Sequence, residues 1–107
     1  MRTSLRVQLE GRIHFKAVSS TRPAAIEGEG RLRNVSTGGL CFITHERLIP
    51  KDLIDMTVIT DTEELTLKGA VTRVEDAEGY FIVGVRFAID DPVTEESLQM
   101  LAALGQD

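Results

Sequence analysis

Residues 7–17 read VQLEGRIHFKA, and this stretch decides the fold class. Val7, Leu9, Ile13, Phe15 and Ala17 share one parity, while Gln8, Glu10, Arg12, His14 and Lys16 share the other. A period of two marks a strand with one face in a core and one in water. Gly11 stands where an inward side chain is due, which predicts a bulge or bend there. Next, VSSTRPAAI (18–26) reads as a polar connection with a proline, and a second strand is expected from Glu29 to Val35.

Apolar or alternating runs continue along the chain: LCFIT (40–44), LIDMTVIT (53–60), LTLKGAVTRVE (65–75) and YFIVGVRFAI (80–89). The separators NVSTGG, HERLIPKD, DTEE and DAEG are short and polar. In the run from 65 to 75, Leu65, Leu67, Val71 and Arg73 fall on one parity. Strands at this spacing predict an antiparallel barrel or sandwich. The tail changes period. Asp91 can cap a helix, Pro92 suits its first position, and Glu95 and Glu96 favour the positive end of its dipole. Val93, Ser97, Met100, Leu101 and Leu104 recur at helical spacing, so this stripe is expected to dock on the barrel, with Gly105 as a stop.

The chain has 107 residues, which suits one domain, here expected to span 1–107 with a barrel over 7–89 and a helix over 92–104. It is 42% apolar and 27% charged, within the ordinary globular range. No run approaches the roughly 20 apolar residues of a transmembrane helix, and MRTSLRVQLEGR lacks the apolar core of a signal peptide. Cys41 is the single cysteine and forms no internal disulfide. A cytoplasmic protein that does not insert in membranes is expected. The formal charge of −5 is uneven: +2 over residues 1–73 and −7 over 74–107. An acidic chain is a poor match for DNA, whose affinity comes from neutralising many phosphates. A small anion needs only a local positive spot, and Arg2, Arg6, Arg12 and Lys16 supply one against Glu10.

Enzyme chemistry finds no support. His14 and His45 have no cysteine or carboxylate at metal-ligand spacing, so no metal or cofactor is expected. Cys41 reads as a buried, inert thiol, and neither a Walker-type loop nor a nucleophile elbow occurs. Arg31 and Arg33 lie near Glu27 and Glu29, where surface ion pairs account for them.

The polar constellations that remain are RTSLR (2–6) and NVSTGG (34–39). Together, in this order, they resemble the PilZ family, bacterial domains that bind the second messenger cyclic di-GMP. The family pattern is Arg-x-x-x-Arg ahead of the first strand, then Asp/Asn-x-Ser-x-x-Gly. Arg2 and Arg6 match the first motif, and Asn34, Ser36 and Gly39 match the second. GAVTRV, YFIVGVRF and the terminal helix are also similar to the family, so nearly the whole chain is covered. The resemblance implies an all-β fold, a six-stranded antiparallel split β-barrel with one C-terminal α-helix. It also implies a receptor rather than an enzyme. Its ligand would be cyclic di-GMP, and its downstream partner a protein of motility, exopolysaccharide or adhesion machinery.

The residue types suit that ligand. The planar guanidinium grips phosphate or the guanine O6/N7 edge with two hydrogen bonds and stacks on a purine face. The resemblance assigns these tasks to Arg2 and Arg6. Asn34 would accept from the guanine N1/N2 edge and Ser36 would offer a hydroxyl. Gly38 and Gly39 would permit positive φ and close approach of backbone amides. Arg73 could stack on a guanine, and an exposed barrel arginine explains it equally well.

Ordering five terminal residues costs about 5–10 kcal/mol. A micromolar complex must still net about −8 kcal/mol. A bidentate contact gives about 1–3 kcal/mol, so two arginines need help from the turn, from stacking and from phosphate charge. A flexible segment 1–6 that swings onto the barrel and clamps the ligand is therefore expected. Two alternatives stay open. One is a PilZ-like interaction module that binds no nucleotide. The other is an OB-type single-strand binder, disfavoured by one Tyr, four Phe, no Trp and the negative charge.

Overall fold

Ile13, Phe15 and Ala17 are buried while Arg12, His14 and Lys16 are exposed, as the alternation requires of strand β1 (Arg12–Ser19). The structure is a computed structural model describing residues 11–36, 38–88 and 90–104, with 101–104 as backbone only. After β1 come β2 (Arg22–Val35), β3 (Gly39–Thr44), β4 (Leu53–Ile59), β5 (Glu64–Asp76) and β6 (Phe81–Phe87), then helix α1 (Pro92–Leu104). The strands close into a six-stranded barrel in the order β1-β2-β3-β6-β5-β4, with every pairing antiparallel. The all-β barrel with a terminal helix is thus the fold of this chain. Its interior is filled by inward side chains such as Ile13, Phe42, Met56, Val58, Leu67 and Val83, all about 1% exposed or less. Phe15 and Phe42 meet with ring centroids 5.4 Å apart at 49°.

Several sequence expectations change. The second strand begins at Arg22, not Glu29, because a tight hairpin pairs Ser19 with Arg22. The β2–β3 ladder starts only at Gly30, so the first part of β2 hydrogen-bonds to β1 alone. Pro23 is tolerated there because one side of the strand needs no ladder donor. Gly11 is not a bulge: it precedes β1, its carbonyl accepts from the Leu32 N–H at 2.9 Å, and the irregularity in β1 falls at Ala17/Ser19. Arg31 and Arg33 form no ion pair with Glu27 or Glu29. Glu29 instead faces His14, its cross-strand partner, at 3.3 Å.

The helix keeps its expected cap but turns differently. The Asp91 carboxylate accepts the Thr94 N–H at 2.9 Å and the Thr94 hydroxyl at 2.8 Å. The Thr94 hydroxyl oxygen in turn accepts the Lys68 N–H of β5 at 2.9 Å. This bond sets the helix rotation, so Thr94 and Ser97 are buried and Leu98 packs against the core. Val93 and Met100, expected in the docked stripe, are 52% and 39% exposed.

A buried ion pair secures the loop before β4. Asp52 is fully buried, and its Oδ2 accepts from Arg22 Nη2 and the Ile49 N–H, both at 3.1 Å. Nothing in the sequence pattern announces this pair.

Candidate functional site

Two local irregularities shape the outer face of the barrel. The β2–β3 register shifts between Leu32 and Asn34, and the β5–β6 register shifts between Val71 and Arg73. Each inserts one extra residue, Arg33 in β2 and Thr72 in β5, both exposed. The second shift corrects the parity read for Arg73. The inward position passes from Val71 to Val74, and Arg73 turns outward.

The ladders then align one row across four strands: Asn34 opposite Cys41, Cys41 opposite Gly84, and Gly84 opposite Arg73. A cleft of about 320 Å³ lies over this row, lined also by Ser36, Gly39 and Thr72. Gly84 leaves the centre of the floor without a side chain. A Cβ there would lie 3.5 Å from Thr72 Oγ1 and 3.9 Å from Arg73 Nε, on the cleft side.

The turn at one end is self-braced. The Ser36 N–H donates to the Gly39 carbonyl at 2.8 Å, and its hydroxyl donates to the same oxygen at 3.3 Å. The hydroxyl proton is therefore spent on the turn, and the Ser36 oxygen is left to accept. Neither Gly38 nor Gly39 uses positive φ, contrary to expectation; among described glycines only Gly79 does. Gly39 is needed for another reason. A Cβ there would lie 2.1 Å from the Val85 carbonyl oxygen, so only glycine lets β3 run this close to β6.

The cleft is positively biased. Arg73 Nε lies 3.6 Å from Glu75 Oε1, with both side chains more than half exposed, so this pair is weak. Burial pushes the Cys41 thiol above its ordinary value, and the charges of Arg33 and Arg73 oppose that rise. Cys41 is thus a protonated, apolar part of the floor, in line with its reading as an inert thiol.

Of the residues singled out in the sequence, Asn34, Ser36, Gly39 and Arg73 line this one cleft. Gly38 lines a different depression, with Leu53, Gly69 and Arg86, and its carbonyl accepts the Phe87 N–H at 3.0 Å. Arg2 and Arg6 lie outside the described residues, as does all of segment 1–6. Sequence reasoning missed Thr72, Gly84 and the proximity of Arg33. The signal for Thr72 is the spacing of Val71 and Val74, with two polar residues between apolar ones where strict alternation allows one.

A family model described as "PilZ domain" matches residues 2–104. The chain belongs to the PilZ domain family. Among solved structures, this PilZ domain is similar to the c-di-GMP-bound PilZ domain of YcgR from Escherichia coli, with TM-score 0.69 and 14% identity over 97% of this chain and 90% of that one. The PilZ domain of CeSA from a cellulose-synthesizing bacterium gives TM-score 0.68 and 19% identity over 95% and 99%. Bacillus subtilis MotI/DgrA, described as an inhibitor of motility, gives 0.66 and 12% over 97% of this chain and 51% of that one. This PilZ domain thus spans about half the length of MotI/DgrA. No curated protein sequence matches it. Family membership sets aside the OB-type alternative. Among the described residues no helix is long and apolar enough to cross a membrane, and no group of three or more His, Cys, Asp or Glu is placed to hold a metal.

Proposed function

We propose that this PilZ domain is a receptor for cyclic di-GMP. The dinucleotide lies in the cleft over Cys41 and Gly84, held by Arg2, Arg6, Asn34, Ser36 and Gly39, with Arg73 as a further contact. The observation that carries this reading is that Asn34, Ser36 and Gly39 of one turn and Arg73, more than thirty residues on, line one cleft whose floor has no side chain at Gly84. Family membership and the c-di-GMP-bound YcgR domain support the same ligand.

The chemistry assigns a task to each group. The Asn34 amide oxygen accepts from the guanine edge, and the Ser36 oxygen, its proton already engaged, accepts a further N–H. Arg73 offers its guanidinium plane for stacking and its charge to a phosphate. The segment bearing Arg2 and Arg6 closes over the ligand and completes the positive charge that two phosphates require. That closure is the signal read by a partner protein of motility, exopolysaccharide or adhesion machinery. The likeness to an inhibitor of motility and to a domain of CeSA supports this class of partner.

Titration calorimetry tests the reading. Cyclic di-GMP is expected to bind with micromolar or tighter affinity, with linear pGpG and GTP as weaker controls. Arg6→Ala is expected to weaken binding by about tenfold or more, the loss of a contact worth about 1–3 kcal/mol, with thermal stability unchanged. Asn34→Asp is expected to tighten binding, since a carboxylate makes the stronger, charge-assisted hydrogen bond. Amide order parameters of residues 2–6 should rise on binding. Absence of heat with the wild-type protein at high concentration would remove the proposal.

A further inference from the structure

A second outward row crosses the barrel and meets the cleft at Gly39, which stands opposite Arg86. Val18 pairs with Leu53, Leu53 with Ala70, and Ala70 with Arg86, so their side chains stand in line across β1, β4, β5 and β6. Leu53 is 62% exposed, the most exposed of the large hydrophobic side chains among the described residues, and Val18 is 44% exposed. Adjoining depressions of about 490 and 510 Å³ flank the row and share Leu53, Gly69 and Ala88. Lys16, Lys68 and Arg86 rim this groove against Asp55 and Asp90, a positive excess on a chain of net charge −5.

The described residues also contain a surface of complementary character. Val93, Glu96 and Met100 stand at helical spacing on the outward face of α1, and all are exposed. Glu95 beside them is exposed too, and α1 has no basic residue in its last turn. This stripe is apolar at both ends and acidic between, while the groove is apolar along its floor and basic at its rim. From Val93 to Met100 the helix rises about 10 Å. Crossing from β1 to β6 through β4 and β5 covers about 14 Å. The stripe is therefore long enough to span three of the four strands in the row.

We propose that this groove receives the outward face of α1 from a second copy of the chain. The two patches lie side by side on each molecule, because Ala88 and Asp90 at the foot of α1 line the groove and the Lys68 N–H is bonded to Thr94. A twofold axis between copies then lets each helix enter the other's groove, closing an isologous dimer that buries both patches together. The dimer is independent of the nucleotide reading, because it is measured on the protein alone.

Sedimentation equilibrium of the full chain from about 10 to 300 μM covers the affinity range of such an interface. A monomer–dimer equilibrium is expected for the wild type. Leu53→Glu and Val93→Glu should each weaken it by about tenfold or more, with unchanged thermal unfolding, because both side chains are exposed. Charge reversal gives a second measure. E95K/E96K on the helix and K68E/R86E on the groove should each be monomeric alone and associate when mixed, since both reciprocal contacts then regain opposite charges. A wild type that stays monomeric throughout would overturn the proposal. So would a dimer indifferent to both Leu53→Glu and Val93→Glu, or folded charge-reversed variants that fail to associate.

Discussion

Gly38 and Gly39 are neighbours in sequence and opposites in constraint. A methyl group on Gly38 would meet nothing within 4 Å, whereas on Gly39 it would drive into the Val85 carbonyl oxygen. Gly39→Ala is therefore expected to lose about 1–3 kcal/mol of stability through overpacking. Gly38→Ala should stay within about 0.5 kcal/mol of the wild type. Urea unfolding distinguishes the two. At this scale Asn34, Ser36 and Gly39 were legible because each is a residue type with a special use in a turn. Thr72 and Gly84 were not, since nothing local says which strand will lie beside NVSTGG. Arg73 shares the parity of Leu65, Leu67 and Val71 yet faces outward as an exposed barrel arginine, because one inserted residue reverses the parity of everything after it.

At the scale of elements, the rotation of α1 is set by a side-chain relay from Asp91 through Thr94 to the Lys68 N–H. The hydrogen bonds from Thr94, side chain first and backbone second, hold the Asp91 carboxyl below its ordinary value of 3.8. A depressed acid stabilises the fold above its unfolded pKa, and this contribution is lost as pH falls through the folded value. Helix docking should accordingly weaken as pH drops below about 3.8. Asp91→Asn keeps an acceptor at the cap but cannot titrate, so it should flatten the acid limb of the helical circular dichroism signal.

The strands themselves were legible from alternation alone, and the cap from the order Asp-Pro. The start of β2 was not, because STRPAAI is polar for a hairpin that pairs on only one side. The helix rotation was not, because it is fixed by a bond to a strand more than twenty residues away in sequence.

For the whole molecule, closure links parts that the sequence keeps far apart. Arg22 at the tip of the β1–β2 hairpin reaches Asp52, thirty residues on, and Asp52 has no exposure at all. Removing the guanidinium leaves a buried carboxylate supported only by a backbone N–H. Arg22→Ala is expected to cost about 3–5 kcal/mol, seen as a lower denaturation midpoint at unchanged m-value. The strand order was beyond the reach of the alternation, which is local, because ladder partners are chosen by the closed surface as a whole.

The inserted residues Arg33 and Thr72 add to this picture. Without Arg33, Leu32 and Val35 would still be separated by one outward position, and without Thr72 the same holds for Val71 and Val74. The barrel interior has no use for either residue. The cleft-bearing face is in this sense an ornament on a self-sufficient scaffold, open to single-codon insertions and deletions that leave the hydrophobic interior intact. Divergence within such a family could then silence or re-aim the face while the cylinder beneath it persists.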